Sequence, residues 1–215
     1  FMDMVEQKQI MIYSSEIEQQ KIIEENNWDG QVVSTSVDYL LWVDANLASL
    51  KTDHAMDREL KYSIRPEGDR FIAAAEMVYK HNGKFDWRTS RYRTYARIFV
   101  PVGSEWISTA GAMKWDRTAG EGPTDKGVEL NKQWLGAFIA IEPGKQGTLK
   151  FEYYLPAEIS QKIKDGQYDL YIQKQLGTID HTLTLNLDFG KNITAANPAE
   201  MKDDWGDKIY KNQTD

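Results

Sequence analysis

The chain has 215 residues, a formal net charge of −7 and no cysteine. Without cysteine there are no disulfides, thiolate metal sites or cysteine nucleophiles, and the acidic balance argues against nucleic acid, whose binders need a basic face. No stretch approaches the roughly 20 apolar residues of a membrane helix, while a chain of this size can bury about 70% of its unfolded surface and needs no staple.

Residues 2–9 and 15–27 read as helices. Ser15 is a candidate N-cap, with Glu18 three residues on as in a capping box. Between them, Ile10-Met11-Ile12-Tyr13 suits a short buried strand, and Trp28-Asp29-Gly30 ends the second helix with Gly30 free to take a positive φ. Val37 to Val43 reads as another buried strand. Residues 1–50 are therefore expected to form a small α/β element, the end of an upstream domain. The chain starts on Phe1 inside a helical pattern, which suggests a piece of a longer protein.

From residue 51 to 215 the texture is that of a β-sandwich. Strands are expected near 56–65, 70–80, 91–100, 104–110, 128–131, 134–142, 147–155, 167–175, 182–189 and 207–212, with one helix over Glu158–Lys164. The clearest alternation is Thr182-Leu183-Thr184-Leu185-Asn186-Leu187-Asp188-Phe189, where every second residue is apolar. Strand side chains switch faces with period two, so this segment buries its leucines and wets the residues between them. Pro66, Pro101, Pro143 and Pro156 each terminate a run, as suits a residue that cannot donate to a ladder. Many short strands at close spacing predict a mainly β, antiparallel sandwich, immunoglobulin-like or related. Lys114–Lys126 and Lys191–Asp204 lack periodicity and read as long loops.

Chemistry is harder to find. His54, His81 and His181 form no triad or metal spacing. His81 reads as a solvated turn residue and His181 as a strand-end residue. Asp44, Asn46 and Asp53 supply oxygens at short spacing, but Lys51 opposes a cation, and turn-capping is the simpler account. Asp203, Asp204 and Asp207 around Trp205 balance similarly. Trp42 and Trp134 fall within strand runs and read as core. Trp87, Trp115 and Trp205 fall in polar segments and are candidate binding aromatics. No catalytic pair, cofactor or metal site is expected.

The phrases IYSSEIEQQKIIEENNWDG, DYLLWVDANLASLKTD, RYRTYARIFVPVGSEWIS, IEPGKQGTLKFEYYLP and YDLYIQKQLGTIDHTLTLNL occur in that order. Together they resemble the C-terminal half of the bacterial family called domain of unknown function 4012. The resemblance implies an N-terminal membrane anchor, a bulk outside the cytoplasm, and an upstream half similar to envelope phosphotransferases that attach glycopolymers to the wall. Asp44, Asn46, Lys51 and Asp53 carry the family's D-x-N…K-x-D pattern and are expected to form a polar junction. Lys174, Gln175, Gly177 and Thr178 match a second phrase at a strand-to-turn transition, where Gly177 suits a left-handed position. The function implied is a non-catalytic binding or scaffolding domain of an anchored cell-envelope protein. Its partners would be wall polysaccharide or another envelope protein, with membrane contact only through the anchor. The alternatives are a carbohydrate-binding module and an accessory domain of a glycopolymer transferase.

Overall fold

The alternating segments become strands, and the strands form two facing sheets. The computed structural model describes every residue except Gln7, Ala119, Ile179, Asp180, Asp203 and Asp215. The elements are α1 (Met2–Glu6), α2 (Ile17–Glu25), β1 (Asp38–Asn46), β2 (Met56–Glu67), β3 (Arg70–His81), β4 (Tyr92–Pro101), β5 (Glu105–Ala110), β6 (Asp125–Glu129), β7 (Lys132–Ile141), β8 (Gln146–Tyr154), α3 (Ala157–Lys164), β9 (Leu170–Gln173), β10 (Thr182–Asp188) and β11 (Ile209–Thr214). One sheet has the order β6-β7-β4-β1-β9, the other β11-β10-β2-β3-β8-β5. Among the described residues no helix is long and apolar enough to cross a membrane.

The core lies between the sheets. Leu40 and Trp42 of β1, Ile98 of β4 and Leu135 of β7 face Leu60, Tyr62 and Ile64 of β2, Met77 of β3 and Phe151 of β8. On the outer face of the first sheet a smaller cluster of Tyr39, Leu41 and Phe99 is covered by Val32 and Val33, which arrive from the N-terminal segment.

The mainly β sandwich forms as expected and is mostly antiparallel, with two parallel pairings: β9 runs beside β1, and β10 beside β2. Alternation reports which face a residue takes, not the direction of the neighbouring strand. Three expectations need correction. The division at residue 51 fails, because β1 is hydrogen-bonded between β4 and β9 inside the sandwich. Ile10–Tyr13 is not a strand; Ile10 N–H donates to the Met4 carbonyl at 3.2 Å and Ile12 N–H to the Trp28 carbonyl at 2.9 Å, and neither bond belongs to a ladder. The capping box does not form either, since α2 starts after Glu16, without a side-chain cap. That helix stops at Asn26–Asn27, with Asn27 at φ +55. Gly30 does take a positive φ, and a Cβ there would meet Met11 Sδ at 2.8 Å. A smaller shift affects 128–131: Leu130 and Asn131 both have positive φ and form the two-residue turn between β6 and β7.

Candidate ligand-binding site

The inward positions of β1 are 38, 40, 42 and 44, so two aspartates share a face with Leu40 and Trp42. Asp44 is the centre of a buried network. Its Oδ1 accepts from Tyr79 OH at 2.6 Å and from Thr94 Oγ1 at 3.0 Å, and Trp42 Nε1 donates to Tyr79 OH at 3.0 Å. Arg58 of β2 brings the compensating charge: Nε lies 3.3 Å from Asp44 Oδ2, and Nη2 donates to Asp53 Oδ1 and to Tyr92 OH, both at 2.8 Å. Asn46 Nδ2 donates to Asp53 Oδ2 at 2.6 Å, and Asn46 Oδ1 accepts from Ser49 N–H at 2.8 Å. Three residues of the expected junction thus converge, and the cation among them is a guanidinium. Lys51 stays exposed at its rim and joins through its backbone, its N–H donating to the Arg88 carbonyl at 3.0 Å. Burial lifts the Asp44 carboxyl above its ordinary range despite the opposing pull of Arg58.

Asp38, six residues earlier, makes a second buried cluster. Its Oδ2 accepts from Tyr62 OH and Tyr168 OH, each at 2.6 Å, and its Oδ1 from Tyr39 N–H at 2.8 Å. Among the described residues no cation pairs with it. Burial raises its pKa from 3.8 to about 6, with the tyrosine hydroxyls and the Tyr39 N–H pulling it back.

Tyr168 has a second role. Its ring lines a slot of about 500 Å³ that opens between β9 and β10, where the two sheets part. Leu170 and Ile172 form one wall, Leu183, Leu185 and Leu187 the other. The loop that follows β10 closes the side. Within it Ile193 and Ala196 turn inward against the core, while Asn192, Thr194, Ala195 and Asn197 stay exposed. Such a volume falls within the roughly 300–1,000 Å³ of small-molecule sites, which are mostly apolar with a few polar groups. As a sealed void, 500 Å³ would cost on the order of 12 kcal/mol at about 24 cal/mol per Å³, as much as many whole domains have to lose.

The other expected residues are dispersed. Trp87 is 86% exposed in the β3–β4 loop, Trp115 53% in the β5–β6 loop and Trp205 43% in the β10–β11 loop. Trp115 stacks on Phe138 with centroids 4.9 Å apart. Its loop is anchored through Asp116, whose Oδ2 accepts from Arg91 Nη1 and Arg93 Nη2 at 2.9 Å each. Trp42 is core as expected, but Trp134 sits on the outer face with the Arg97 guanidinium 4.4 Å above its ring. Its position in β7 is out of phase with Leu135 and Ala137, which face inward. His81 is not solvated: it is buried, with Nδ1 accepting from Gly83 N–H at 3.0 Å and Nε2 2.7 Å from the Ser90 carbonyl. His54 Nδ1 meets the Lys51 carbonyl, and His181 is half-buried before β10. Asp204 pairs with Lys211 Nζ at 3.2 Å, Asp207 caps the start of β11 by accepting from Ile209 N–H, and Asp203 lies outside the described residues.

The second family phrase acts through Gln175. Its amide donates to the Asp44 carbonyl at 3.0 Å and accepts from the Asp44 N–H at 2.8 Å, continuing the β1–β9 pairing past the end of β9. Thr178 Oγ1 donates to the Gln175 carbonyl at 2.9 Å, and Gly177 takes φ +69. Lys174 directly follows β9. Sequence reasoning missed Asp38, Arg58, Tyr168 and the slot. The usable signal was a charged residue at an inward position of an otherwise apolar strand.

Among the described residues no three His, Asp or Glu side chains are grouped to hold a metal ion. No protein-family model matches the chain, and no curated protein does. Among solved structures, a mutant M1 zinc metallopeptidase from Deinococcus radiodurans overlaps 67% of this chain and 35% of its own, at 12% identity and a TM-score of 0.26. A complex of such a mutant with a Tyr-Ser-Ala substrate gives the same coverage, 13% identity and a TM-score of 0.25. The chain spans about a third of those proteins' length. Overlap this loose transfers no chemistry, and the zinc in those names stays with those proteins.

Proposed function

We propose that this chain is a non-catalytic binding module of a membrane-anchored bacterial envelope protein, working outside the cytoplasm, and that it binds through the slot between β9 and β10. The slot carries the reading. Its walls are aliphatic side chains that a well-packed sandwich would bring into contact, and larger residues at Leu183 or Ala196 would fill it. The buried carboxyl nearest to it has its oxygens taken up inside the fold: Asp38 accepts from two tyrosine hydroxyls and a backbone N–H. The envelope location rests on the five phrases that resemble the domain of unknown function 4012.

Titration with anilinonaphthalene sulfonate tests the binding reading. The folded protein is expected to bind one equivalent with enhanced emission, and Ala196→Trp to abolish it without lowering the melting temperature. A wild-type protein that melts cooperatively yet leaves the dye dark would refute a ligand slot. A sugar-binding surface is the second reading, favoured by the half-exposed ring of Trp115 on the Phe138 platform. It predicts quenching of tryptophan emission by wall oligosaccharides, lost in Trp115→Ala.

A further inference from the structure

Resting on the slot as a binding site, we infer that its ligand is a single aliphatic chain carrying an anionic head, seated with the head at Lys191. The walls specify the chain. Leu183, Leu185 and Leu187 stand at alternate positions of β10, a row roughly 13 Å long at about 3.3 Å per residue. Leu170 and Ile172 of β9 face them. Two strand layers of a sandwich lie about 10 Å apart, so the gap admits one row of methylenes. Along those five positions every side chain is a branched aliphatic, with no group to orient a ring substituent or a sugar hydroxyl.

The polar groups gather at one end. Gln167 and Asp169 precede β9, and Lys191 and Asn192 follow β10. Lys191 Nζ donates to the carbonyl of Lys164, the last residue of α3, which fixes the ammonium at the rim. Asn197 borders the same end, because the neighbouring Pro198 carbonyl accepts from Tyr210 OH and Tyr210 pairs with Leu187. Among the described residues, Lys191 and Asp169 are the charged groups lining the slot. Lys191, on the covering loop, favours a carboxylate or phosphate head over an ammonium.

Displacement of a fluorescent polyene fatty acid tests this. Affinity across saturated fatty acids is expected to rise about fourfold per methylene, then level off once the slot is full. Ala196→Trp and Leu185→Trp should each weaken binding at least tenfold; two variants guard against one failing to fold. Lys191→Ala should weaken the fatty acid severalfold and leave the alcohol of equal length unchanged. Displacement by phosphatidylglycerol vesicles as well would support a chain drawn from a lipid, and displacement by fatty acid alone a free amphiphile. Affinity independent of chain length would overturn the inference. So would fatty acids that remain inert while anilinonaphthalene sulfonate binds, an outcome that leaves the slot itself standing. If neither probe binds the folded protein, the binding module falls with the ligand class.

Discussion

Asp38 and Asp44 occupy equivalent inward positions of one strand, yet the protein handles them differently. Asp44 has a guanidinium partner, with side-chain exposures of 5% for the aspartate and 9% for Arg58. Removing one partner of a buried pair strands the other charge, so Arg58→Ala should destabilise by about 3–5 kcal/mol. Asp44→Asn combined with Arg58→Met should recover much of that loss, as urea melts of the single and double variants would reveal. Asp38 is held by two tyrosine hydroxyls and the Tyr39 N–H, all neutral donors, and burial raises its pKa from 3.8 to about 6. Below about pH 4 the carboxyl is protonated in both folded and unfolded chains and contributes nothing. Between about 4 and 6 the folded chain keeps a proton that the unfolded chain gives up, so stability falls as pH rises through that window. Two pKa units correspond to about 3 kcal/mol. Tyr168→Phe removes one hydroxyl that favours the ionised form, so it should move the Asp38 titration up and extend the loss toward neutral pH. Asp38→Asn should flatten this component. Melting temperatures across pH 4–8 measure both.

At the scale of the element, β10 shows how an alternating pattern can be right about facing and wrong about burial. Its odd positions face inward, as the pattern says. Leu187 is 3% exposed, whereas Leu183 and Leu185 are partly exposed because the slot lies over them. Leu187→Asp buries an unpaired charge and should cost several kcal/mol. Leu185→Asp can hydrate its carboxylate through the slot and should cost roughly half as much. Thr184→Asp, on the wet face but beside Glu59, should cost under about 1 kcal/mol. Chemical melts should rank the three in that order, and equal damage from Leu185 and Thr184 would mean the strand is turned over. Most strands and α3 were legible because period-two burial and terminal prolines are local signals. The turn at Leu130-Asn131 was missed because it lacks the glycine that usually marks such a turn and puts a leucine at positive φ. Parallel pairing and the slot were not legible either: each depends on which distant segment lies opposite, and residue types along one strand do not encode that. The Asp44 junction was half legible: its oxygens were visible as a cluster, while Arg58 was hidden among the exposed-looking charges of β2.

At the scale of the molecule, the question is what residues 1–50 contribute. Composition separates them from the sandwich, but the hydrogen bonds do not. β1 pairs with β4 from Leu41 to Asn46 and with β9 from Asp38 to Leu41. It also supplies Leu40 and Trp42 to the main core and both buried aspartates. Without it β9 has no neighbour in its sheet, and one wall of the slot loses its support. The preceding segment is attached more lightly: Val32 and Val33 cover Leu41 and Phe99, and Val33 N–H donates to Gln173 Oε1 at 3.0 Å. The two parts should therefore separate on truncation. A chain starting at residue 51 should show no cooperative thermal transition, since it exposes Tyr62, Tyr79 and Arg58 without their partners. A chain starting at residue 31 keeps β1, Val32 and Val33, and should melt cooperatively within a few degrees of the parent. If the chain from residue 51 instead gives dispersed amide resonances and a sharp melt, the central place of β1 is wrong and the sandwich closes without it.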